Sequence, residues 1–226
     1  MRQGGFLRPW GAVAGMVLCL AACTGNPTEA LLKKNHQDVI LPGDFGICKG
    51  YGCRRYVKTG LAPEEWRQIE NIFVPAPVTA EAERQMIRQA IALFERFVGP
   101  KTGTDQDAAG AVILNFSTKG QMDCIDEAFN SSTYLHLLRK AGLVRFHALG
   151  APLHRGNYIT RWPHNTATIH VMGQPWTIKG EGHFVVDSWF HKNGDMPEII
   201  PAAQWAEGWS PEAERPSSFT TPDGFF

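Results

Sequence analysis

Cys124 stands directly after Asp123, and Ile125, Ala128, Phe129, Leu135 and Leu138 follow it at helical spacing. The pattern predicts a helix capped by Asp123 with the thiol in its first turn. Unpaired backbone N–H groups and the positive end of the helix dipole favour a thiolate there, so a lowered pKa and alkylation faster than that of a free thiol at pH 6 are expected. A thiolate nucleophile needs a proton carrier. His164 opens a strand-like run after Trp162 and Pro163, and Asp187 sits inside Phe-Val-Val-Asp187-Ser-Trp-Phe. A carboxylate among such neighbours is expected to be buried and to require a partner, for which a strand-borne His is suited. Taken singly, each residue has a plainer reading: a buried helix cysteine, a surface histidine and a hydrogen-bonding core acid.

The ordered set resembles the transglutaminase-like cysteine superfamily. The resemblance rests on Gly120-Gln-Met-Asp-Cys124-Ile-Asp126-Glu-Ala128, on Leu137-Leu-Arg139-Lys-Ala-Gly142-Leu-Val-Arg145, on Trp162-Pro-His164 and on Val186-Asp187-Ser-Trp189, and covers roughly residues 110 to 205. It implies an α+β fold with a papain-like core and acyl transfer through a thioester. Cys124 would attack a peptide amide, His164 would move the proton, and Asp187 would orient the imidazole. The Cys124 N–H and the Gln121 side chain would meet the oxyanion. His170 lies at even spacing on the same strand face and is the rival base. Peptidoglycan peptides, a partner protein's glutamine or a propeptide all suit such a site. The alternative is a catalytically inactive envelope binding or scaffold module on the same fold, with these residues sealed inside.

Two helices must position the thiol and its support. Pro63 with Glu64 and Glu65 opens a short one; Thr79 caps a longer one carrying Met86, Ile87, Ala90, Ile91, Phe94, Phe97 and Val98, which Gly99-Pro100 should stop. The helix from Asp123 ends near Gly142. Strand-like segments follow at 143–149, 166–172, 176–179 and 184–190, and helices before an antiparallel sheet indicate an α+β fold. Trp205 and Trp209 belong to a C-terminal arm whose aromatics cover core or cleft.

The remaining features concern export. Arg2 and Arg8 precede a short apolar run, and Leu20-Ala-Ala-Cys23 resembles the lipobox of bacterial lipoproteins. That implies a signal peptide at 1–22, palmitate-type acyl chains on Cys23, and a membrane tether through lipid. With Thr24 next, an outer-membrane anchor facing the periplasm is expected. Residues 23–60 read as a tether with an irregular segment, 61–209 as the transglutaminase-like domain, and 210–226 as a loose tail. Of the 5 cysteines, Cys19 and Cys23 leave with the signal or take lipid. In an oxidising compartment Cys48 and Cys53, flanking a Gly-rich turn, are expected to pair, which leaves Cys124 free. Balanced charge, with 22 basic and 22 acidic residues, supplies no global field for nucleic acid. No His or Cys spacing suggests a metal, and no cofactor is expected.

Overall fold

The computed structural model describes Lys34 and residues 40–110, 120–157, 162–174, 177 and 180–211. The signal segment, Cys23, the tail from 212 and nearly all of the strand expected at 176–179 lie outside these residues. Helix α1 (Pro63–Ile72) starts with Pro63, and Glu65 accepts the Ala62 N–H at 2.7 Å. Helix α2 (Ala80–Thr102) is capped by Thr79 Oγ1, which accepts from Ala82. It does not stop at Gly99-Pro100. Gly99 has no Cβ to clash with the Pro100 ring, so a helical conformation before proline is tolerated. The Thr102 hydroxyl returns to the Val98 carbonyl, and the turn ends only at left-handed Gly103.

Helix α3 (Cys124–Lys140) starts where expected, with Asp123 accepting the N–H groups of Ile125 and Asp126. It is buried on almost every side from Asp126 to Leu138. Phe94 of α2 stacks on its Tyr134, with ring centroids 4.7 Å apart.

Residues 45–59 are not irregular. They form an antiparallel hairpin, β1 (Phe45–Lys49) and β2 (Arg55–Thr59), which packs Phe45 and Ile47 into the core shared by α2 and α3. The strands are five residues each, and the glycines between them hid the alternation that Phe45 and Ile47 carry.

The second sheet is wholly antiparallel, in the order β3 (His147–Arg155), β4 (His164–Val171), β5 (His183–Asp187) and β6 (Glu198–Pro201). A short helix, α4 (Ala202–Ala206), closes it. The fold is therefore α+β. Strand β3 begins four residues later than expected, because the buried Glu83 carboxylate takes the N–H groups of Arg145, Phe146 and His147. It then runs past Pro152, which this edge strand absorbs at a register shift between Gly150 and Leu153. Ala167 and Ile169 of β4 and Val186 of β5 meet α3 across the main core, while Val185, Leu153, Phe190 and Trp205 form a smaller cluster. Among the described residues, no helix is long and apolar enough to cross a membrane.

Candidate active site

Cys124 starts α3, His164 starts β4 and Asp187 ends β5. Because β4 and β5 are antiparallel, the last two fall at the same end of the sheet. His164 Nε2 and Asp187 Oδ2 are 2.7 Å apart, both buried. The same Oδ2 accepts the indole N–H of Trp205 at 2.7 Å, and Oδ1 accepts the Trp189 backbone N–H. Trp189, Phe190 and Trp205 wall the imidazole, with centroids 4.5, 5.4 and 5.4 Å from it. Its other nitrogen, Nδ1, is buried and has no hydrogen-bond partner among the described residues. Two orientations of a ring are thereby reduced to one, with Nδ1 as the nitrogen left to exchange a proton.

The thiol meets the residue next to His164. Asn165 Nδ2 lies 3.6 Å from Cys124 Sγ, and the residue is almost wholly buried. Cys124 itself is half-buried and unbonded to other cysteines. Its acidity runs against the sequence expectation: burial pushes the thiol up to about 12, and the charges of Asp123 and Asp187 add to this, against the hydrogen bonds from Asn165. The cap that starts the helix thus places a carboxylate beside the sulfur, opposing the dipole. That arrangement favours the thiol over the thiolate.

Gln121 is directed elsewhere. Its Oε1 accepts the Ala108 N–H and its Nε2 donates to the Gln106 carbonyl, so both ends of the amide are committed to the 106–108 loop. His170 sits opposite His183 on β5. Six residues along an extended strand place it roughly 20 Å from His164, so Asp187 has His164 as its histidine partner.

Cys48 and Cys53 form a disulfide with Cα atoms 4.6 Å apart. The four residues Gly50, Tyr51, Gly52 and Cys53 all take positive φ, and the N–H groups of the last three are directed to the head of α3. Tyr51 and Cys53 donate to Asp126, and Gly52 donates to Asp123. Asn130 holds both the N–H and the carbonyl of Cys48. The disulfide loop is therefore fastened to the turn that carries the thiol. Cys48, Cys53 and Asp126 offer ligand atoms within 4.8 Å of one another, but both sulfurs are spent in the disulfide.

Behind the site lies a group of buried acids. Burial pushes Glu95 and Asp107 up to about 7, and Glu127 well above its ordinary value. Asp107 shares a hydrogen bond with Glu127 and accepts the Met122 N–H; Glu95 accepts from Gly194 and from Ser188, the neighbour of Asp187.

Asn165 and the Trp205 bond to Asp187 were not anticipated. The only signal for the first was its position after His164, and for the second an aromatic-rich arm. No family model, no curated protein and no solved structure matches this chain.

Proposed function

We propose that this protein is a cysteine-dependent amide hydrolase or acyltransferase on a transglutaminase-like, papain-like core, exported as a lipoprotein and tethered through Cys23 at the outer membrane, facing the periplasm. The observation that carries the reading is the bonded His164–Asp187 pair at the sheet end that also receives the head of α3.

With the thiol at rest, His164 Nδ1 acts as general base. It takes the S–H proton as Cys124 Sγ bonds to the carbonyl carbon of a peptide amide, and the C=O electron pair moves to oxygen. The Cys124 N–H, in the first helical turn where backbone donors have no intrahelical acceptor, faces the charge that develops. The imidazolium, held by Asp187, returns the proton to the departing amine as the C–N bond breaks, leaving a thioester. Water or a second amine then attacks, His164 takes its proton, and the thiol is released. Gln121, tied to its loop, has no part in this sequence.

The other reading, a binding module without catalysis, draws on the burial around Cys124, which pushes the thiol up. Alkylation by iodoacetamide at pH 7 separates the two. For the enzyme, His164→Ala slows the reaction of Cys124 by about tenfold or more, the scale of general-base assistance, while His170→Ala reacts as wild type. Equal and sluggish rates in all three proteins overturn catalysis in favour of the module.

A further inference from the structure

The Asn165 side chain touches two titratable groups at once. Nδ2 faces Cys124 Sγ at 3.6 Å, and Oδ1 faces His154 Nδ1 at 3.2 Å from the adjacent strand, where His154 and Asn165 are register partners. The far nitrogen of that ring, His154 Nε2, lies 3.1 Å from the Gly156 carbonyl. Both oxygens are acceptors only, so both ring nitrogens must carry hydrogen for this arrangement to be bonded throughout. Only the imidazolium meets that condition.

In the neutral tautomer that keeps the Nε2 hydrogen for Gly156, Nδ1 presents a lone pair. An amide oxygen opposite that lone pair is repelled. Turning the amide over restores both bonds: Nδ2 donates to His154 Nδ1, and Oδ1 accepts the S–H of Cys124. The first orientation supplies a donor to the sulfur and favours thiolate; the second supplies an acceptor and favours thiol.

We propose that His154 and Asn165 form a proton-driven amide switch on Cys124, in which a proton gained by His154 makes the thiol easier to ionise. His154 is a positioning residue, acting only through Asn165. His154 is exposed to solvent, whereas Asn165 and His164 are buried. The other charged or titratable groups around the pair are Arg155 beside His154, Asp123 at the head of α3, and His164 with Asp187 at the end of β4 and β5. The charges of Asp123 and Asp187 both push the Cys124 thiol up.

The inference rests on Cys124 as the reacting thiol, yet it is measured without a substrate. The pH profile of Cys124 alkylation by iodoacetamide is compared with the midpoint of the His154 ring resonances in isotope-labelled protein. The wild-type profile should carry an inflection at that midpoint, with a larger thiolate fraction on the acid side than the alkaline limb extrapolates to. His154→Gln, whose amide donates to Asn165 without titrating, should abolish the inflection and retain the acid-side behaviour. Because linkage is reciprocal, Cys124→Ala should also move the His154 midpoint. An inflection unchanged in His154→Gln, or a His154 midpoint indifferent to Cys124→Ala, overturns the switch. Loss of reactivity in His164→Ala together with an inflection that persists in His154→Gln would leave the proposed catalysis standing and remove only this inference.

Discussion

Trp205 donates its indole N–H to the same Asp187 oxygen that holds His164, each contact 2.7 Å long. The donor comes from α4, the last helix described, and Arg155 fixes that helix by bonding to the Trp205 carbonyl and lying 4.2 Å over its ring. A C-terminal turn therefore completes the support of a residue on a central strand. Trp205→Phe keeps the ring and loses the donor. A hydrogen bond to a charged group is worth about 1.5–3 kcal/mol, and denaturant unfolding should report a loss of that order. Alkylation of Cys124 should also slow, because the freed carboxylate oxygen no longer fixes the imidazole.

Asp187→Asn should preserve the fold while weakening Cys124 reactivity, since the amide occupies the same space without stabilising an imidazolium. The comparison of circular dichroism with the rate of alkylation checks both halves. An unfolded variant would place the role of Asp187 in stability alone.

Two sets of buried carboxylates give opposite pH dependences. Burial raises Glu95, Asp107 and Glu127, so the folded protein holds protons that the unfolded chain has released. Their contribution is complete below the ordinary carboxylate value of roughly 4 and falls as pH rises toward their raised folded values, about 7 for Glu95 and Asp107. Melting temperature should accordingly decline between pH 5 and pH 8, and Glu127→Gln should flatten that decline.

Glu83 has the other sign. Burial would raise it, but the His147 ring and the N–H groups of Arg145 and Phe146 together hold it low. It stabilises the fold above the unfolded carboxylate value and loses that contribution as pH falls through its own lower one. Glu83→Gln removes the charged acceptor of the Arg145, Phe146 and His147 N–H groups, and a hydrogen bond to a charged group is worth about 1.5–3 kcal/mol. Urea denaturation at pH 7 should detect the loss, with the difference from wild type shrinking in acid.

Cys48→Ser with Cys53→Ser should cost about 2 kcal/mol, the loop-closure value for so short a ring. The larger effect should be on Cys124. Without the disulfide the N–H groups of Tyr51, Gly52 and Cys53 are no longer held against Asp126 and Asp123. Faster hydrogen exchange at those three amides, together with a changed alkylation rate, is the expected result.

The sequence by itself determined the local events. Asp123 ahead of an apolar period started α3 at Cys124, Thr79 capped α2, and two cysteines around a Gly-rich turn paired. These depend on contacts within a few residues, where propensity and capping suffice. The order Cys124, His164, Asp187 was also legible, because each type has a recognisable neighbourhood. Tertiary structure decided the rest. Whether His164 or His170 meets Asp187 depended on which end of β4 lies beside the end of β5, a matter of strand register. Gln121 was lost to the 106–108 loop, and Asn165 was gained beside the sulfur, through contacts over 13 and 41 positions of chain. The acidity of Cys124 reversed for the same reason: a helix start can be read from its sequence, but burial and the carboxylate of Asp187 reach the thiol only once strands and helix are packed together.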